Sequence, residues 1–188
     1  MKTIAIIHGW AGGPQITKYF TQALQKDGFE VIEDHSKANI IFAHSAGCYK
    51  LPNQIKAQLI VFQGPPYWPG RNIFSRITSH SVHDTAQTAR VFGLGYLVSR
   101  RLWETYYVLR HPSVTFVAIR NNKKLDFLAG HPDSKKLVVR NRDDKLCSPE
   151  IKRRVQDYQN VKYAELPGLH DDYIRHPGPY VELIKENL

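Results

Sequence analysis

Cysteine is scarce in this chain: Cys48 and Cys147 are the only two among 188 residues, and no C-x-x-C pair occurs. A disulfide scaffold and a cysteine-based zinc or redox motif are thereby excluded, and a reducing cytoplasm is the expected compartment. Long apolar runs are missing as well. No stretch approaches the roughly 18 to 20 residues that a membrane span needs. Met1 to Ile7 runs into His8 and Gly9 without the apolar core or small-residue cleavage site of a secretory signal, so export is not expected. No dinucleotide or P-loop glycine pattern is present, and Gly12-Gly13 is too short to stand in for one.

Acidic residues are also few, 17 against 26 Lys plus Arg, which gives a formal charge of +9 and a pI near 9.6. The excess is local. Residues 64–124 hold nine basic side chains against Asp84 and Glu104, a net of +7, while the other 127 residues hold 17 basic and 15 acidic ones, a net of +2. No RRM, zinc-finger or helix-turn-helix signature accompanies the charge, so a nucleic-acid partner is not expected. What the chain does have is an ordinary hydrophobic share of 42%, enough for one domain with a real core and too little length to promise two.

The order of elements follows from periodicity and turn residues. Ile4 to Ile7 is an unbroken apolar, β-branched run ending at His8-Gly9, as a central parallel strand would. Gln15 to Lys26 reads as a helix through Ile16, Tyr19, Phe20, Ala23 and Leu24, with Gly28 beyond its end. Phe29 to Ile32 and Asn39 to Ala43 are two further strands. Cys48 to Lys56 is expected to be helical, and Gln58 to Gln63 is a strand closed by Gly64-Pro65-Pro66. Residues 67–130 break this rhythm. Leu94, Leu97, Val98, Leu102, Tyr106 and Leu109 share one helical stripe, which points to an inserted helical, basic cap, with Val114 to Ile119 open to either a helix or a strand. The sheet pattern resumes at Lys136 to Arg140, continues through a helix from Pro149 to about Tyr158 and a strand from Val161 to Leu166, and closes with a helix from about Pro179 to Glu186. The expected class is α/β: a mostly parallel sheet of about six strands flanked by helices, with residues 1–66 and 131–188 forming the core and 67–130 the cap.

One crossover is short. Glu33 to Ala38 leaves about six residues between two strands, whereas a parallel crossover carrying a full helix needs about a dozen. Either a bare loop replaces the helix or Phe29 to Ile32 pairs unusually.

The chemistry is signalled by Ala43-His44-Ser45-Ala46-Gly47, between an expected strand and an expected helix. A serine on such a turn needs small residues two positions to either side, because strand and helix backbones approach closely there. Ala43 and Gly47 meet that need, and the turn would lift the hydroxyl out of the sheet. His8-Gly9 follows the first strand, an acidic loop follows a late strand, and His170 follows the last. Serine, acid and histidine thus appear in that order, each at the carboxyl end of a strand.

On these residues the sequence resembles α/β-hydrolase fold serine hydrolases over nearly its whole length apart from the cap, and its Ala-His-Ser-x-Gly elbow is similar to that of small bacterial lipases and esterases. The resemblance implies Ser45 as nucleophile, His170 as its base, and a carboxylate that orients the histidine. Asp144-Lys145-Leu146-Cys147-Ser148-Pro149 is similar to the family's acid loop, which favours Asp144 over the adjacent Asp143. The backbone N–H groups of Trp10 and Ala46 would form the oxyanion hole. No cofactor is implied. No substrate-binding side chain is singled out.

Blander roles fit the remaining polar residues. His8 suits structural hydrogen bonding, His44 packing, and both cysteines core filling. Asp171 and Asp172 beside His170 lack ligand spacing, so no metal site is expected. Two functions stay open: a serine hydrolase acting on a carboxylic ester or thioester, anionic ones included given the basic cap, and a non-catalytic binding protein that kept the fold. The cap aromatics, Tyr67, Trp68, Phe74, Phe92, Tyr96, Trp103, Tyr106, Tyr107 and Phe116, are expected mostly to pack the cap onto the body.

Overall fold

Strands that are apolar at every position, not at alternate ones, must be covered on both faces, and that is where the chain places them. The computed structural model describes residues 1–9, 16–52, 55–67, 69, 73–110 and 125–188. Six strands form one sheet: β1 (Lys2–Ile7), β2 (Phe29–Ile32), β3 (Ile40–His44), β4 (Leu59–Gln63), β5 (Lys135–Asn141) and β6 (Val161–Leu166). Their order is β2-β1-β3-β4-β5-β6, and every neighbouring pair is parallel. Every residue of β3 and of β4 is buried.

Alternation along β3 divides the core. Ile41 and Ala43 point into a layer with Ile60, Phe62, Val138, Ile151 and Val155. Ile40 and Phe42 point the other way, into a layer with Phe20, Leu24, Tyr173, Tyr180 and Ile184. The first layer is covered by helices α3 (Asp126–Ala129) and α4 (Ile151–Val155), the second by α1 (Lys18–Lys26), α5 (Asp172–Arg175) and α6 (Gly178–Glu186).

The short crossover is resolved as a loop. After β2 the chain makes a single 3-10 turn, His35–Lys37, begun by the Asp34 carboxylate accepting from the Ser36 N–H at 3.0 Å. It then passes β1 and enters β3. Asn39 is pinned to β1 through Thr3, whose N–H donates to Asn39 Oδ1 at 3.0 Å while its hydroxyl oxygen accepts from the Asn39 N–H at 2.9 Å. Among the described residues the expected helix from Cys48 to Lys56 is not found: a 3-10 turn, Ser45–Tyr49, occupies its start. Pro52 accounts for this, because proline bars helical geometry at the residue before it and brings no N–H of its own.

Between β4 and β5 lies α2 (Ile73–Arg110), two helical arms that meet at Gly93, where φ is 80° and ψ is 166°. Arg101 Nη2 donates to Thr85 Oγ1 at 2.7 Å. A straight helix would hold residues sixteen apart about 24 Å from each other, so the arms fold back on one another. Leu94, Val98, Leu102, Trp103, Tyr106 and Leu109 are exposed. The expectation that these aromatics pack onto the body thus fails for Trp103 and Tyr106, while Arg101 and Glu104 on the same helix are partly buried and paired with each other. Tyr67, Leu125 and Leu128 are buried with the core. Val114 to Ile119 lie outside the described residues. Among the described residues no helix is long and apolar enough to cross a membrane.

Candidate active site

All six strands run parallel, so their carboxyl ends line one edge, and the loops there collect the candidate residues. Ser45 follows β3 directly and has φ of 52°, the left-handed region that a side-chain-bearing residue seldom occupies. Its surroundings explain how the turn is held. A Cβ on Gly47 would lie 2.5 Å from the Ile7 carbonyl oxygen and 2.8 Å from that of His8, and one on Gly9 would lie 2.8 Å from Ser45 Cβ. The elbow therefore sits against the end of β1 at a separation only glycine permits at these two positions. Ala43 is fully buried beneath it.

Asp144 and His170 meet. His170 Nδ1 lies 2.8 Å from Asp144 Oδ2, and both residues are buried. The other carboxylate oxygen, Oδ1, accepts from the N–H groups of Leu146 at 2.6 Å and Cys147 at 3.2 Å. Asp143, the alternative acid, is exposed. Its backbone N–H donates to the Gly168 carbonyl at 3.0 Å, which joins the acid loop to the histidine loop.

Several residues that sequence reasoning left out shape this pair. Arg140, buried at the end of β5, donates from Nε to the Cys147 carbonyl at 3.0 Å, from Nη2 to the Arg142 carbonyl at 3.0 Å and from Nη1 to Glu165 at 2.9 Å. The acid loop is thus threaded on one guanidinium. Gln63 Nε2 donates to the His170 carbonyl at 3.0 Å, and Asn141 Nδ2 donates to that of Leu169. Gly64, with φ of 56°, stands against the pair: a Cβ there would lie 3.0 Å from His170 Cε1 and Nδ1 and 3.1 Å from Asp144 Oδ2. The turn residues Gly64-Pro65-Pro66 were legible as the end of a strand, but nothing in their order shows what they face.

Burial disfavours the charged form of both His44 and His8. Burial pushes the His8 imidazole down to about 4, with help from the nearby His44 and Lys50. Burial also lowers His44, opposed by Asp171, whose Oδ1 lies 3.2 Å from His44 Nε2. The His44 ring is 4.8 Å from that of His170 and 4.7 Å from that of Tyr173. Both cysteines are buried, and burial raises their thiols well above the usual range, so neither offers a thiolate.

His44, His170 and Asp171 could each turn one donor atom toward a cation, within 4.8 Å of one another. Ala46 is buried directly after Ser45, while Trp10 lies outside the described residues.

No family model matches the chain, and no curated protein does. Solved structures do. A meta-cleavage product hydrolase from Pseudomonas fluorescens aligns with TM-score 0.66 at 12% identity over 100% of this chain and 90% of its own. A carboxylesterase of Nitrososphaera gargenis aligns with TM-score 0.63 at 16% identity, over 98% and 89%. A thioesterase domain from the curacin biosynthetic pathway aligns with TM-score 0.62 at 11% identity, over 98% and 91%. The chain has the α/β-hydrolase fold.

Proposed function

We propose that the protein is a serine hydrolase that cleaves a carboxylic ester or thioester through an acyl-enzyme on Ser45. The observation that carries this reading is the buried 2.8 Å contact between His170 Nδ1 and Asp144 Oδ2, reached by the same strand edge that presents Ser45 on a left-handed turn. A carboxylate on Nδ1 fixes the tautomer that leaves Nε2 as the basic nitrogen and stabilises the imidazolium that forms during reaction.

In the first half-reaction His170 takes the Ser45 proton as Oγ bonds to the acyl carbon, and the carbonyl oxygen becomes an oxyanion held by the Ala46 N–H, with the Trp10 N–H as the second donor. Collapse breaks the bond to the alcohol or thiol, which leaves with the proton from His170. Water then repeats the sequence on the acyl-enzyme, releasing the acid and restoring Ser45. The structural neighbours include proteins described as a carboxylesterase and a thioesterase domain, which is consistent with this acyl chemistry.

The basic segment over residues 64–124 adds a preference: an anionic acyl substrate would approach faster than a cationic one. The test of the whole reading is a panel of esters and thioesters of graded acyl length, with wild type and Ser45→Ala in parallel. Turnover of at least one member that vanishes in Ser45→Ala is expected; turnover that survives the substitution would overturn the assignment.

A further inference from the structure

We propose that His44 and Asp171 form a clamp that positions His170 against Ser45, a role that rests on the serine hydrolase reading above. The need for it comes from the sheet order. Ser45 follows β3 and His170 follows β6, and β4 and β5 lie between them. At about 4.8 Å per strand, the histidine loop must reach some 14 Å across the sheet edge to meet the elbow. Along the way it is anchored to β4 by Gln63 and to β5 by Asn141. Neither anchor reaches β3.

His44 does. It is the last residue of β3 and precedes Ser45, while Asp171 follows His170, so their 3.2 Å contact links the chain neighbour of the nucleophile to the chain neighbour of the base. Both side chains are 9% exposed. Replacing a buried ion pair by apolar residues of similar volume is often neutral or stabilising, so stability alone is a poor reason for this pair. The pair is therefore better explained by what it holds in place. The His44 ring also lies against the His170 ring at 4.8 Å, which limits sideways movement of the base.

The carboxylate has a second effect. A carboxylate oxygen of Asp171 comes within 4.8 Å of a ring nitrogen of His170, so its charge favours the imidazolium that forms when Ser45 gives up its proton. Among the described residues, the titratable and charged groups around this cluster are His8, His35, His44, Lys50, Asp144, His170, Asp171 and Tyr173. Removing the Asp171 charge makes His170 harder to protonate, which moves the acid limb of the kcat profile to lower pH.

Four variants test the clamp. Asp171→Asn removes the charge and keeps the shape, His44→Phe keeps a ring without nitrogen, and the double variant combines them. His44→Gln restores an N–H donor at the right reach. Each single variant should lower kcat by about ten- to a hundredfold, the scale of a small misplacement of reacting groups, with KM changed less than twofold. The double variant should be no worse than the weaker single, and His44→Gln should recover activity over His44→Phe.

His170 titration followed by NMR should shift to lower pH in Asp171→Asn, a readout that needs no turnover. Unchanged kcat and unchanged His170 titration in a folded Asp171→Asn protein would overturn the clamp. So would losses that simply add in the double variant, or an activity loss that tracks melting temperature with no titration shift. Absence of any Ser45-dependent turnover in the wild type is a separate result: it strikes the hydrolase reading, while the NMR titration still decides whether Asp171 acts on His170.

Discussion

Gly64 offers a way to move His170 by a few tenths of an ångström without touching it chemically. Its φ of 56° is costly for alanine, about 1–2 kcal/mol for a left-handed residue with a Cβ. For a chain of this length that corresponds to roughly 2–8 °C in melting temperature. The new methyl would also press on the pair, 3.0 Å from His170 Nδ1 and Cε1 and 3.1 Å from Asp144 Oδ2. Ordinary contact begins near 3.5 Å, so the ring must give way by about half an ångström, which should lower kcat about tenfold, given that a 1 Å misplacement costs about a hundredfold. Gly28 is the control. It has φ of 85° and nothing within 4 Å of a Cβ, so Gly28→Ala carries the same backbone cost alone. The assay is ester turnover beside thermal melting of both variants. Similar falls in melting temperature with a kcat loss confined to Gly64→Ala are expected; equal kcat in the two variants would refute the reasoning.

Three other outcomes follow from the geometry. Asp144→Asn should cut kcat by about 10³–10⁴-fold, the scale for a triad carboxylate turned to amide, while Asp143→Asn should stay near wild type; steady-state kinetics of both decides between them. Because burial holds His8 near 4, below its unfolded value of 6.5, the native state resists a proton that the unfolded chain accepts. Its stabilising share is complete above pH 6.5 and is lost as pH falls toward 4, so melting temperature should drop across that window and drop less in His8→Asn; equal slopes would count against it. If the basic cap steers substrates, kcat/KM for an anionic ester should fall with added salt while that for a neutral ester holds, and identical responses would reduce the cap to a solvated surface.

The central strands β3 and β4 were readable because burial on both faces leaves an unbroken apolar run, and β6, an edge strand with no fully buried residue, was still bounded to the residue, Val161–Leu166. The elbow was readable because small residues at 43 and 47 are a steric demand written locally; the structure gives that demand a number, 2.5 Å from a Gly47 Cβ to the Ile7 oxygen. The missing helix after Ser45 had its signal in Pro52, which a reading led by apolar spacing passed over. The stripe from Leu94 to Leu109 was correctly helical in period, but period cannot say whether a face meets the body or solvent, and here all of it but Leu97 is exposed. Gly64, Arg140 and the pairing of His44 with Asp171 were beyond reach for a common reason. Each acts on a residue far away in the chain, and only the sheet order brings them together.

The central claim is that Ser45 is a nucleophile activated by His170. Treating folded protein with a fluorophosphonate probe at neutral pH and locating the adduct by peptide mass spectrometry tests it most directly. The account predicts a single adduct on Ser45 that disappears in Ser45→Ala and forms far more slowly in His170→Ala. Well-folded wild type that takes no label, or label that persists in Ser45→Ala, would contradict it.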